Sequence, residues 1–340
     1  MIPVIICGGV GTKMWPLSSP SHPKHFLPLI HGKSLFELNW ETLRTRFEAN
    51  EIYLQTNAEQ AEIAKNLVPE IVPENVFIEP EMRNQGPATG LAAALLLKKG
   101  KGDEPFFLIQ VDNLRVPGEN IFKMMDLAEK LGTETHKYIT GGFAPDRVIK
   151  GVDFLLKGEM VSEENGVKIF KVAEYVDRNE ESKINENMNS GNLLVHANHT
   201  CMTPNDLLAM FAKFRPDWHE PLMKISTGAD IAVEYAKMPK GSIEEITKQV
   251  HANGDSLVIE LPFEWTDFGT WDSLDKYYKA NSIEPKMGEV KEVEASNNFC
   301  LSDNKKKIAI VGVDNLIVVE GDDGILICKK DLSGRVGEVV

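Results

Sequence analysis

Residues 3–17, PVIICGGVGTKMWPL, decide how the rest of the chain reads, and SSPSHPKHFLPL follows over 18–29. The apolar run Pro3–Ile6 predicts a short buried strand. It gives way to Gly8 and Gly9, with Gly11 and Thr12 close behind. Three glycines in four positions let the backbone fold tightly and bring its N–H groups up to an anion. Lys13 and Lys24 supply the positive charge such a loop needs. The same residues read equally well as an ordinary turn leaving a strand. A Walker loop is excluded, because no Gly-Lys-Ser/Thr closes the segment. G-x-G-x-x-G also fails, since Met14 stands where the third glycine belongs.

Outward from this loop the chain alternates. Ser34-Leu-Phe-Glu37 reads as a capping box opening a helix to about Arg46. A strand is predicted at 52–55, a helix at 58–67 and a strand at 76–78. EPEMRNQGPATG then leads into an apolar helix over 87–98, with Pro87 in its first turn. Phe106–Val111, FFLIQV, is continuously apolar, as a central parallel strand should be, and it runs into Asp112. A helix at 119–131 and a strand at 138–141 follow. Such alternation implies a parallel sheet covered on both faces, with ligands beyond the carboxyl ends of its strands. The first loop, residues 79–87 and Asp112 would then share one edge.

Beyond 142 the pattern loosens. Strands are expected at 152–156, 167–176, 191–197 and 256–261. A helix should start at Pro204, with further helices broken at Pro216, Pro221 and Pro239. After about 284, short strands alternate with turns. IAIVGVDN and LIVVEGDD look like two similar units, which suggests a coil of short parallel strands.

Composition fits a globular protein with a real core, at 42% hydrophobic and 26% charged residues. The formal charge of −14 repels polyphosphate backbones and argues against nucleic acid. No stretch has the length of a membrane span. Cys7, Cys201, Cys300 and Cys328 are scattered without a C-x-x-C pair, which suits a reducing cytoplasm better than a zinc site. The histidines form no H-x-x-x-H spacing, although His22, His25 and His31 share one loop.

GGVGTKMWPLS, PKHFLPL, FIEPEMRNQGPA, LIQVDN, NSG, EWTDFGTWDSL and the final IAIVGVDNLIVVEGDDGILICKK occur in this order. Together they resemble bacterial mannose-1-phosphate guanylyltransferases, which are sugar-1-phosphate nucleotidylyltransferases. The similarity runs from residue 2 to the C-terminus and looks like the short form, without room for an isomerase domain. It implies an α/β, Rossmann-like nucleotidyltransferase domain over 1–283, with a mixed, mostly parallel sheet. A small left-handed β-helix over 284–340 would follow. It also implies transfer of GMP from GTP to mannose 1-phosphate without an enzyme nucleophile, in the cytoplasm, by a possible homodimer.

The resemblance assigns residues. Gly8, Gly9, Gly11 and Thr12 would hold base and triphosphate, with Lys13 replacing the family's arginine. Lys24 would touch the α-phosphate. Arg83, Asn84 and Pro87 would form the nucleotide side, where Gln85-Gly86 replaces the usual Thr-Ala. Asp112 and Asp267 would hold Mg²⁺; each aspartate, read alone, is as readily a turn or a helix cap. Asp267-Phe-Gly mimics a kinase motif, but no H-R-D loop precedes it. Asp177, Arg178, Asn189 and Gly142 would face the sugar, although DRNEES over 177–182 also reads as a solvated turn. Asp153 stands where the family has glycine, and an acid there would oppose a phosphorylated substrate. Glu244 replaces an aspartate, and Gln249 and Val250 replace a Glu-Lys pair.

Overall fold

The architecture comes from a computed structural model. It describes all residues except Val10, Lys150, Asn198, Phe263, 284–287 and Asn304, and only the backbone of 264–267. The chain opens with β1 (Ile2–Ile6), α1 (Leu35–Arg44), β2 (Tyr53–Thr56), α2 (Ala58–Leu67) and β3 (Val76–Ile78). Then come α3 (Gln85–Lys98), β4 (Phe106–Gln110), β5 (Asn113–Val116), α4 (Ile121–Thr135) and β6 (Tyr138–Phe143). The middle holds β7 (Phe154–Glu164), β8 (Val167–Val176), α5 (Glu181–Asn187), β9 (Leu193–His196) and β10 (Thr200–Met202). Helices α6 (Pro204–Phe214), α7 (Pro216–Ser226), α8 (Ile231–Tyr235) and α9 (Glu244–Ala252) lead to β11 (Ser256–Glu260), β12 (Glu264–Asp267) and α10 (Trp271–Ala280). The tail is β13 (Glu289–Val293), β14 (Phe299–Ser302), β15 (Lys307–Val311), β16 (Leu316–Gly321) and β17 (Gly324–Lys329), closed by tight helical turns over Lys330–Val339.

One mixed sheet carries the fold, in the order β11-β8-β7-β9-β6-β10-β4-β1-β2-β3. Pairing is parallel among β4, β1, β2 and β3 and between β6 and β11. The hairpin β7–β8 and strand β9 enter antiparallel. Strand β4 shows why its sequence is apolar without a break. Phe107 and Ile109 join a core with Phe36, Trp40 and Met124 on one face. Phe106 and Leu108 join a core with Leu91, Phe211 and Trp218 on the other. A strand covered on both sides has no polar face to show.

The helix starts follow their caps. Ser34 Oγ accepts from the Glu37 N–H while the Glu37 carboxylate accepts from the Ser34 N–H, the reciprocal box expected there. Pro221 does not break a helix as expected; it lies inside α7. Only one turn precedes it, so its missing N–H leaves a single early carbonyl unbonded.

The tail is a coil with a fixed step. Glu289 pairs with Lys307 and Phe299 with Ile317, each 18 residues on (307 − 289 and 317 − 299). Side chains repeat the step: Asn297 donates to Asn315, Asn298 accepts from Leu316, and Ser302 donates to Glu320. The two units singled out from the sequence, 308–315 and 316–323, are therefore consecutive sides of one coil and do not stack on each other. Both contribute to one small apolar cluster, in which Ile310 and Val318 pack with Cys300. The alternate residues of the second unit face the rest of the chain: Met14, Leu35, Trp271 and Tyr278 pack in one core with Phe299, Ile317 and Val336. Trp271 Nε1 donates to the Trp15 carbonyl at 3.0 Å, tying α10 to the first loop.

Candidate active site

The glycine loop leaves β1 at the sheet edge. Gly9 and Gly11 have φ of +88° and +69°, a region that costs a side-chain-bearing residue. Gly11 has a second reason to be glycine. A Cβ there would lie 2.6 Å from Lys24 Cγ, because the lysine stem crosses directly over it. The stem carries Lys24 Nζ to 3.1 Å from Asp112 Oδ2, the lysine 15% and the aspartate 38% exposed. Burial alone would raise the Asp112 carboxyl; the charge and hydrogen bond of Lys24 outweigh it and hold the group below its usual value. His25, buried beside them, is pushed down to about 4 by burial, against the pull of Asp112, and is neutral at pH 7. Thr12 and Lys13 are exposed on the next tight turn.

Next to this pair lies a cleft of about 260 Å³ lined by Gly8, Gly9, Glu79, Asn84, Gln85, Gln110 and Asp112, among others. The first loop, 79–87 and Asp112 thus meet on one edge, as the alternation implied. Asn84, at φ +65°, stands at the start of α3 and faces the cleft. Arg83 and Pro87 do not. The Arg83 guanidinium donates to Glu81 and to the Met238 carbonyl, so it bridges to the segment after α8. Pro87 is buried in the first turn of α3. Gly86 has a packing cause: a Cβ there would lie 2.3 Å from Trp218 Cη2. Glu79 and Gln110 were not singled out from the sequence. Glu79 accepts from Tyr235 Oη at 2.6 Å, and burial raises its carboxyl despite that bond. Gln110 was visible as the one polar break at the carboxyl end of FFLIQV.

Asp267 lies on β12, whose backbone pairs antiparallel with β5, Asp267 opposite Asn113. Its side chain lies outside the described residues, but its backbone is one register step from Asp112. Among the described residues no group of three or more His, Cys, Asp or Glu could hold a metal.

The residues expected to face the sugar do not line this cleft, and the two charged ones, Asp177 and Arg178, are paired with other side chains. Asp153, 5% exposed, accepts from the Arg178 backbone N–H at 2.9 Å and from its Nε at 3.0 Å. Burial would raise its carboxyl, yet Arg178 holds it below the usual range. The acid expected to oppose a phosphate is thus neutralised by its neighbour. Asp177 accepts from Lys248 at 2.6 Å and from the Asn179 N–H at 3.1 Å. Asn189 is exposed after α5. Gly142 is buried on β6, where a Cβ would meet the Val195 carbonyl at 3.0 Å. Beneath them Tyr175 stacks on His251, with His196 edge-on at 5.6 Å. Burial lowers His196 to about 4 and His251 well below its ordinary value.

A glycine-rich loop, a lysine–aspartate pair beside it and a β-coil tail define a nucleotidyl transferase architecture, and comparisons agree. Residues 2–144 match the Nucleotidyl transferase family. Residues 288–340 match the MannoseP isomerase/GMP-like beta-helix domain. The chain thus carries a nucleotidyl transferase domain, and along its whole length it is recognised as a relative of the mannose-1-phosphate guanylyltransferases. It is 25% identical to mannose-1-phosphate guanylyltransferase of Escherichia coli, over 100% of this chain and 73% of the relative. It is 26% identical, with the same coverage, to that of Klebsiella pneumoniae. It is 25% identical to the xanthan biosynthesis protein XanB of Xanthomonas campestris pv. campestris, over 100% of this chain and 72% of the relative. The fold is shared with the mannose-1-phosphate geranyltransferase of Thermus thermophilus, at TM-score 0.82 and 23% identity, covering 99% of this chain and 97% of that one. No helix among the described residues is long and apolar enough to cross a membrane.

Proposed function

We propose that this chain transfers GMP from GTP to mannose 1-phosphate, giving GDP-mannose and pyrophosphate. The observation that carries the reading is the Lys24–Asp112 pair at the mouth of the glycine-lined cleft. A phosphate oxygen of the sugar attacks the α-phosphorus, and the bond to the β-phosphate oxygen breaks. No enzyme nucleophile is needed, so the protein's task is positioning and charge. Backbone N–H groups of Gly8, Gly9 and Gly11 face the triphosphate, with Lys13 at the leaving pyrophosphate. Lys24, held over Gly11, turns from Asp112 toward the α-phosphate when the nucleotide enters. Asn84 faces the base, and Asp177, Arg178, Asn189 and Gly142 form the sugar side.

The residues fit a hard divalent cation. Asp112 offers a half-buried carboxylate kept ionised, and Asp267 is its register neighbour on paired strands. Asp112 and Asp267 would hold Mg²⁺, which when bound supplies positive charge to the phosphates.

The division at 283/284 belongs to this reading, with catalysis before it and the coil after. So does a cytoplasmic homodimer. Ile325 and Ile327, two apart on β17, are more than half exposed, an apolar face a second copy would cover. The test is incubation with GTP, mannose 1-phosphate and Mg²⁺. Pyrophosphate release supports the reading, and none with any hexose 1-phosphate defeats it. A second reading keeps the chemistry and changes the sugar or base; the Asp153–Arg178 pair favours it, and a substrate panel decides.

A further inference from the structure

Asp112 sits in the turn between β4 and β5, beyond the sheet's hydrogen-bond ladder. Carbonyls there need partners from elsewhere. Two side chains supply them. Asn39, on α1, donates from Nδ2 to the carbonyls of Val111 at 3.2 Å and Asn113 at 3.4 Å, and to Leu35 in its own helix at 2.8 Å. Arg115 donates to the carbonyls of Gln110 and Asn113, each at 3.3 Å. The two are joined, Arg115 Nη1 donating to Asn39 Oδ1 at 2.7 Å. Carbonyls on both sides of Asp112 are therefore held by one amide–guanidinium unit.

Arg115 is 6% exposed. Among the described residues no carboxylate lies within ion-pair distance of it. Its other contact is His199 Nε2, 3.3 Å from Nη2, an acceptor only while that imidazole is neutral. Burial drives His199 well below its ordinary value, which keeps it so. A buried guanidinium with no described carboxylate in direct contact, and only the more distant charge of Asp112 acting on it, is costly, and a leucine would fill space more cheaply. Its return is the set of carbonyls it binds. Packing does not do the same job, because a cavity of about 350 Å³ opens beside Asn39, Leu114 and Arg115. The unit also fixes β5, the strand that β12 pairs with, Asn113 opposite Asp267 and Arg115 opposite Trp265.

We propose that Asn39 and Arg115 are positioning residues that clamp the Asp112 turn and hold it in register with the Asp267 strand. The inference rests on the reading of Asp112 and Asp267 as the metal-holding pair. It adds two residues that touch neither nucleotide nor sugar.

The test compares Asn39→Ala, Arg115→Met and Arg115→Lys with the unaltered chain. Three quantities are read: kcat against KM, the Mg²⁺ concentration giving half-maximal rate, and amide hydrogen exchange over 110–116. A small misplacement of a reacting group costs up to roughly 100-fold in rate, so Asn39→Ala should lower kcat about 10- to 100-fold. KM for GTP should stay within about twofold, while the Mg²⁺ requirement rises, the melting temperature falls modestly, and exchange over 110–116 quickens more than exchange elsewhere in the sheet. Arg115→Lys, which keeps the charge and one donor direction, should recover part of what Arg115→Met loses. If Arg115→Met does not fold, Asn39→Ala alone decides. A folded Asn39→Ala variant with unaltered kcat, Mg²⁺ requirement and exchange overturns the clamp. Should the unaltered chain release no pyrophosphate, the functional reading fails. Exchange over 110–116 then still decides: faster exchange supports the clamp, and unchanged exchange overturns it.

Discussion

At the β1–β4 edge, Lys24 and Asp112 face each other at the mouth of a cleft, partly in contact with solvent. In the β7–β9 insertion, Arg178 and Asp177 are tied to Asp153 and Lys248, over a floor of buried neutral histidines. Both regions pair opposite charges, but the first pair lies beside a cavity lined by Asp112, while in the second the described charges are spent on neighbouring side chains. The lesson is that charged residue types do not by themselves make a site. What matters is whether folding leaves their charges available or uses them to hold the chain together. The first region keeps a ligand-sized gap beside its charges, and the second is mostly self-satisfied.

The sharpest way to break this contrast is Asp112→Asn. Losing a carboxylate that would hold Mg²⁺ weakens the positive charge set against the phosphates and should cost about 100- to 1,000-fold in kcat, read as pyrophosphate release, with thermal stability little changed. Gly11→Ala should come next. The new methyl displaces the Lys24 stem and forces a non-glycine residue into φ +69°, a strain of about 1–3 kcal/mol. Its kcat should fall at least 10-fold, on the order expected when a reacting group is misplaced, with a lowered melting temperature. Asp153→Asn probes the other region. Arg178 is 44% exposed, so losing the pair should cost only about 1 kcal/mol after solvent screening. KM for the sugar phosphate should rise severalfold with KM for GTP unchanged. Equal movement of both constants would erase the distinction between the regions.

The smallest effect per group is in acid. His196 has an ordinary value of 6.5 and a folded value of about 4. A depressed folded value means the unfolded chain takes up the proton first. Stability is therefore full above pH 6.5 and is lost as pH falls toward 4, at no more than about 1.4 kcal/mol per pH unit for each such group. Denaturant titrations at about pH 7 and pH 5, on either side of the ordinary imidazole value, measure it. A His196→Gln variant should show a shallower slope.

Much of the framework was legible because it is local. The bounds of α2, β3 and α6 follow the sequence pattern, and the Ser34–Glu37 cap forms as its spacing implies. The short strand β5 was not legible: four residues, NLRV, with a buried arginine among them, carry no strand periodicity. The same holds for Arg83, which the resemblance put on the nucleotide side and whose guanidinium donates to the carbonyl of Met238, far away in sequence. Gly86 looked like a departure at a binding loop and is instead the space under the Trp218 ring.

The sequence by itself determined the alternating α/β order, the glycine loop at the end of the first strand, and the arrival of residues 79–87 and Asp112 at the same sheet edge. These depend on periodicity and backbone freedom within a few residues of each position. Only the tertiary structure decided that the Lys24 stem lies over Gly11, that Asn39 and Arg115 hold the Asp112 turn, and that the coil repeats every 18 residues. Each of these joins partners far apart along the chain. Burial and pairing choose such partners, and no local pattern encodes them.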